Sequence, residues 1–218
     1  MRLKLIDLFI KGAILFAPLC SALPAGGAVL EQIAAVVNDD IIFLTDVERY
    51  LVLFAPPEIR LPINSPLPAA DSDPVKSALQ EVINERLLVV EAKRFGVDPP
   101  SEAETGQAVE KLRERFSSDE EFQDTLRRLG SSPEGLREEI RSRLLVDRFI
   151  DQRIRYFIFV TPEDVERYYR ERQDEFGQKS LESVRERIQM EITEQRLRIR
   201  RQDYLTRLRA RAVIRVNL

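Results

Sequence analysis

The stretch Leu30 to Phe54, LEQIAAVVNDDIIFLTDVERYLVLF, constrains the fold more than any other part of the chain. Gln32 to Val37 is largely β-branched and apolar, and Ile41 to Leu44 is the same. Between them, Asn38-Asp39-Asp40 suits a tight hairpin, because Asn and Asp tolerate left-handed backbone angles. Thr45 then reads as a helix N-cap, with Glu48 completing a T-x-x-E capping box. Val47, Leu51 and Phe54 recur at helical spacing. A two-stranded ribbon is marginal alone and needs a third strand or a helix to cover it. The end of the chain, Ala212 to Leu218, alternates as a strand does. The two ends are therefore expected to meet in one small sheet.

Most of what lies between reads as helix. Asp73-Pro74 opens one that runs to Phe95, with Asp73 as N-cap and Gly96 as the stop. Its apolar face is Val75, Leu79, Val82, Ile83, Leu87, Val90 and Phe95, thickened by Leu88 and Val89. Ser101 with Glu104 is a second capping box, for a helix to about Phe116. Ser118 opens the next, with acidic residues in its first turn, Arg127-Arg128 in its last and Gly130 as its end, in the order the helix dipole favours. Ser132-Pro133 starts a long helix to about Phe157, buried through Leu136, Ile140, Leu144, Leu145, Phe149 and Ile150. Its exposed face carries Glu138-Glu139 against Arg141 and Arg143. Thr161-Pro162 starts a helix to Gly177, in which one ring of Tyr168-Tyr169 is core and the other surface. Ser180 or Leu181 begins a final helix to about Ala210. There the apolar spacing drifts from a heptad, favouring packing on the same body over a coiled-coil hairpin. The fold class is mostly α, a multi-helix core with a small β-sheet made of the N-terminal hairpin and the C-terminal strand.

Composition excludes several functions. The chain of 218 residues has no His and no Trp, and its net charge is -3. The commonest metal ligand and the commonest general base at neutral pH are thus missing. A net acidic chain is a poor match for nucleic acid. The Arg-rich run Arg196 to Arg211 is interleaved with Glu and Asp elsewhere on the helix and reads as a solvated face. No glycine-rich loop cradles phosphate, no Ser has a visible base, and Asp39-Asp40 is a turn signal rather than a ligand set. The reading is not an enzyme, with no catalytic residues, no metal, no cofactor and no small-molecule substrate.

The first residues read as an export signal. Arg2, Lys4 and Lys11 supply positive charge, Gly12 to Leu23 is almost wholly apolar, and Ala25-Gly26-Gly27-Ala28 follows. Cleavage falls after Ala28, or alternatively after Ala22. The apolar run is shorter than the roughly 20 residues of a membrane span, and an uncleaved anchor, with membrane proximity, is the other possibility. Cys20, the single cysteine, lies inside this segment, so the mature chain is expected to have no disulfide. The domains are then a signal peptide, 1–28, and one body, 29–218, in which a part at 29–176 is completed by a helix and strand at 181–218.

Half of the twelve prolines lie between Pro56 and Pro74. This loop is either a tether over the surface or a segment whose alternate apolar residues Ile59, Leu61, Ile63 and Leu67 seat in a groove or meet a partner.

Taken in order, these residues resemble the SurA N-terminal domain family of bacterial periplasmic chaperones. IAAVVNDDIIFLTDVERYL resembles the family's first hairpin and helix, LQEVINERLLVVEAKRFGVDPPSEAE its second helix and the start after it, and Glu120 to Glu166 its helical middle. ESVRERIQMEITEQRLRIRRQDYLTRLRARAVI resembles its C-terminal segment. One departure stands out. In such chaperones a parvulin-type prolyl isomerase domain follows a stretch like YYRERQDEF, whereas here only Gly177 to Ser180 intervenes. The resemblance implies a periplasmic, ATP-independent holding chaperone for unfolded outer-membrane proteins or other exported polypeptides. The residues offered for client contact are Leu51, Leu53, Phe54, Ile59, Leu61 and Ile63, although helical spacing equally makes Leu51 and Phe54 ordinary core. The rivals are an envelope subunit with one dedicated partner and, less favoured, a prolyl isomerase.

Overall fold

Asn38 decides how the two ends of the chain meet. In the computed structural model, which describes residues 31–218, β1 (Ile33–Val37) pairs antiparallel with β2 (Asp40–Phe43). Val37 pairs with Asp40, so Asn38-Asp39 is the hairpin loop, and Asn38 takes φ 54°, the left-handed region the sequence requires there. β3 (Ile214–Val216) then pairs antiparallel with the other edge of β1, giving the order β2-β1-β3. Asn38 clamps its entry twice. Its N–H donates to the Val213 carbonyl at 2.7 Å, and its side-chain oxygen accepts the Val213 N–H at 3.0 Å. The expected closure of the termini in one sheet is what the structure has.

The helix after the hairpin, α1 (Leu44–Arg49), is capped differently from the expectation. Thr45 lies inside the first turn, where its hydroxyl donates to Glu31 at 2.9 Å. The Asp46 carboxylate does the capping, accepting the Phe43 N–H at 2.9 Å, while Glu48 pairs with Arg128 at 3.1 Å. Beyond Arg49 the winding loosens into π-helix over Tyr50–Phe54, closed by Ala55 N–H to the Tyr50 carbonyl at 2.8 Å. The wider turn lets Leu51 face one core cluster and Val52 and Leu53 another. It also frees carbonyls at its end. Arg115 supplies the missing donors, to Leu53 at 2.5 Å and Val52 at 3.1 Å.

Eight α-helices in the described residues make the fold mostly helical. α2 (Asp73–Arg94) is the central one; its N-cap is Ser72 rather than Asp73, which sits in the first turn. Gly96, at φ 65°, ends it with a backbone bond from Val97 to Ala92. α2 serves two clusters in succession. Val75 to Leu87 packs under the sheet and α1. Leu88 and Ala92 then turn to α5 (Pro133–Arg153) and to the end of α8 (Leu181–Arg209). That change of face buries Leu88 and leaves Val90 57% and Phe95 41% exposed, against the expected stripe. α3 (Glu102–Arg113) keeps the Ser101–Glu104 capping box, and α4 (Asp119–Arg128) keeps Ser118 as its cap. Both pack with Val52, Leu53 and the start of α5.

Two helices stop earlier than their patterns suggest. α5 ends at Arg153 and passes through a single 3-10 turn, Arg155–Phe157. α6 (Pro162–Glu171) breaks at Arg172 before the short α7 (Gln173–Phe176). The final helix answers its two readings in two halves. Its first half packs with α6 and α7 around a small core of Val165, Phe176, Val184, Ile188 and Ile192. Tyr168 and Tyr169 are both half-buried there, donating to Glu191 and to the Lys179 carbonyl at 2.8 and 2.7 Å. Its second half lies on the main body. Tyr204 donates to buried Glu91 at 2.7 Å, and Arg209 to buried Asn84 at 2.6 Å. The proposed signal segment lies outside the described residues. Among those, no helix is long and apolar enough to cross a membrane.

Candidate functional site

Phe54 ends the π-helical segment half-buried, and two open clefts meet at its ring. One, of about 590 Å3, runs over Tyr50, Pro56, Ile59, Leu88 and Val146, with Glu81, Glu85, Asp147 and Arg201 along it as well. The other, of about 550 Å3, runs over Ala108, Leu112, Ile140 and Leu144. The sequence produces this position in two steps. The loosened winding carries Phe54 out of the core that its neighbours Leu51 and Leu53 fill. Pro56-Pro57 then prevents any further helix.

Arg143 stands between the clefts. Its guanidinium stacks 3.7 Å over the Phe54 ring centre and lies 5.5 Å from that of Tyr50. It pairs with Glu85 at 2.8 Å and Glu139 at 3.2 Å, and Glu139 also holds Arg49 at 2.8 Å. Its Nε is buried with no hydrogen-bond partner among the described residues. Burial pushes the Glu85 carboxyl up to about 7, against the pull of Arg143 and with the help of neighbouring Glu139. The wall between the clefts thus holds a carboxyl whose charged form burial disfavours, beside the guanidinium that pairs with it. The expectation that Arg143 belongs to a solvated face of the long helix is corrected here. Its side chain is 21% exposed, because the aromatic rings of the π segment lie against its guanidinium.

The six expected contact residues are not brought together. Leu51 and Leu53 are 0% and 2% exposed, in separate core clusters, and offer no surface. Phe54 and Ile59 line the first cleft, with Ile59 41% exposed. Leu61 is half-buried between two core clusters, held by its N–H to the Leu51 carbonyl at 3.0 Å. Ile63 is half-buried, and its carbonyl accepts from Arg128. The Pro-rich loop is therefore laid onto the body, and of its two readings the groove-seated one describes Leu61 and Leu67. Sequence reasoning missed Tyr50, Leu112, Ile140, Leu144 and Arg143 as neighbours of Phe54. Leu144 carried one usable signal, an apolar residue at the margin of a helical stripe.

The clefts combine apolar residues and one aromatic divider with charged groups, Glu85, Asp147, Arg143 and Arg201 among them, a lining that can hold a ligand by burial and by ion pairing. Among the described residues no group of three or more acidic, His or Cys side chains stands together to hold a metal.

No family model matches the chain. It is similar to the protein named Foldase protein PrsA of Clostridium botulinum strain Hall, 28% identical over 108 residues, which are 48% of this chain and 32% of that protein. The PrsA of strain Langeland is 27% identical over the same length, and that of strain 657 is 28% identical over 105 residues, 46% of this chain and 31% of the relative. The chain thus spans about a third of the length of the relatives it matches. Over about half of its own length it is distantly similar to proteins of foldase type.

Proposed function

We propose that the chain is a SurA-type, ATP-independent holding chaperone that binds unfolded exported polypeptides, outer-membrane proteins in transit among them, in the periplasm. The observation that carries this reading is the pair of clefts meeting at Phe54, each with a run of apolar residues edged by charged side chains. An unfolded chain presents apolar side chains that a folded protein has hidden, so the apolar residues of such clefts discriminate by burial. A single client ring seated in either cleft gains about 2–3 kcal/mol, weaker than millimolar binding. Grip then comes from several seats engaged along one client, and release is fast because each is weak. Similarity to proteins named foldases supports the same class. The export-signal pattern of the first residues supports the compartment.

The test is light scattering of urea-unfolded client diluted into buffer with and without the protein, using several unrelated clients and no ATP. Suppressed aggregation of most of them near equal molar ratio is expected. Suppression of one client alone favours a subunit with a dedicated partner. No suppression of any contradicts the reading.

A further inference from the structure

Between α5 and α6 the chain crosses from one helical pair to the next through Arg155-Tyr156-Phe157-Ile158-Phe159-Val160. From Phe157 on its burial alternates. Ile158 packs on the core shared by α2, α5 and α8, and Val160 on the core of α6, α7 and α8. Tyr156, Phe157 and Phe159 point out, 73%, 59% and 72% exposed. Tyr156 and Phe157 meet edge to face with ring centres 5.3 Å apart. Ile158 is extended, at φ −99° and ψ 113°. This is the inside–outside pattern of a strand, with no strand beside it.

Main-chain groups are unpaired along one edge. On one side Arg196 donates to the Phe159 carbonyl, tying that edge to α8. Groups of residues two apart point the same way along an extended chain. On the other edge, the Ile158 carbonyl and both the N–H and the carbonyl of Val160 have no partner among the described residues. Arg153, just before the turn, lies 4.8 Å over the Phe95 ring and has no ion pair among the described residues. Exposed rings and a guanidinium would also suit a bilayer surface, but a bilayer offers nothing to an ordered row of main-chain donors and acceptors. An extended polypeptide does.

We propose that the edge at Ile158 to Val160 takes an extended segment of unfolded polypeptide as an added strand. Phe157 and Phe159 flank its alternate apolar side chains, and Arg153 favours an acidic residue beside them. This rests on the holding-chaperone reading and adds to it a second seat, which reads main chain where the Phe54 clefts read side chains.

Fluorescence anisotropy of the full chain with a labelled peptide of alternating Val and Thr, bounded by Asp, tests it. N-methylation of alternate peptide amides should weaken binding roughly tenfold, the worth of one or two main-chain hydrogen bonds. Val160→Pro, which removes the free donor, should do the same. Phe157→Ser with Phe159→Ser, at exposed positions that leave folding intact, should weaken it at least as much, while Val90→Ser, at an exposed apolar position outside both seats, leaves it unchanged. Equal binding of the N-methylated peptide, or unchanged binding by the Phe157→Ser/Phe159→Ser variant, overturns the proposal. So does finding that this variant loses only affinity for anionic phospholipid vesicles, or only self-association in sedimentation. If aggregation suppression persists while peptide binding is indifferent to these changes, the strand seat alone fails. If both are absent, the chaperone reading fails with it.

Discussion

The Phe54 clefts and the Tyr156 to Val160 segment use the same kinds of residue and arrive at opposite states. Around Phe54, Arg143 covers the ring and the neighbouring apolar residues belong to the core. At Phe157 and Phe159 the rings stand in solvent, and main-chain groups beside them are unpaired among the described residues. The difference comes from what each segment closes. The π winding ends against α3 and α5, so its aromatic residue is half spent on stability. The crossing at 157–160 joins two helical pairs that are already closed by Ile158 and Val160, so its outward rings stabilise little. A binding surface built in the first place would be coupled to folding; in the second it would be nearly free of it.

The sharpest break comes from Leu51→Ala. This fully buried side chain should cost about 3 kcal/mol or more, seen as a lower urea midpoint, and would mark Leu51 as core rather than contact. Arg143→Met follows, at about 2–3 kcal/mol, because it leaves Glu85 buried without its partner. Adding Glu85→Gln should return part of that loss, which a double-mutant cycle measures.

An effect of similar size depends on pH. The Glu85 carboxyl, at 4.5 when unperturbed, is held at about 7 by burial. Between those values the folded chain keeps a proton that the unfolded chain gives up. Its contribution is fully present below the unperturbed value and is lost as the pH rises through about 7. Chemical denaturation should register about 3 kcal/mol of this, and Glu85→Gln should flatten the profile. Smallest of all is Phe157→Ser with Phe159→Ser, expected within about 0.5 kcal/mol of the parent. A larger loss would mean these rings do belong to a core, and the contrast between the two regions would collapse.

Much of the fold was legible because its signals are local. Asn38 needed only its own backbone preference, Ser101 and Glu104 lie within one turn of each other, and the glycine ends at Gly96 and Gly130 follow from positive φ. The meeting of β1 and β3 was legible for a different reason: an unsupported hairpin requires a third element. What escaped depends on distant neighbours. Asp46 displaces Thr45 as the cap of α1. Arg115, more than sixty residues away in sequence, supports the π turn that no periodicity announces. Leu88 and Val90 exchange places because α2 changes partners midway. Arg143 reads as surface until the rings of Tyr50 and Phe54 are laid over it. Of the expected contact residues, Leu51 and Leu53 read alike with Phe54 in sequence, and only the winding separates them.

The most direct measurement places a photoreactive benzoylphenylalanine at position 54, and in a second variant at Val90, which is 57% exposed on α2 and lines neither Phe54 cleft. Each is irradiated with an unfolded outer-membrane barrel protein. The account predicts strong adducts from position 54, competed away by unlabelled unfolded client, and weak ones from position 90. Equal adducts from both positions, or none from position 54 while aggregation is still suppressed, would contradict it.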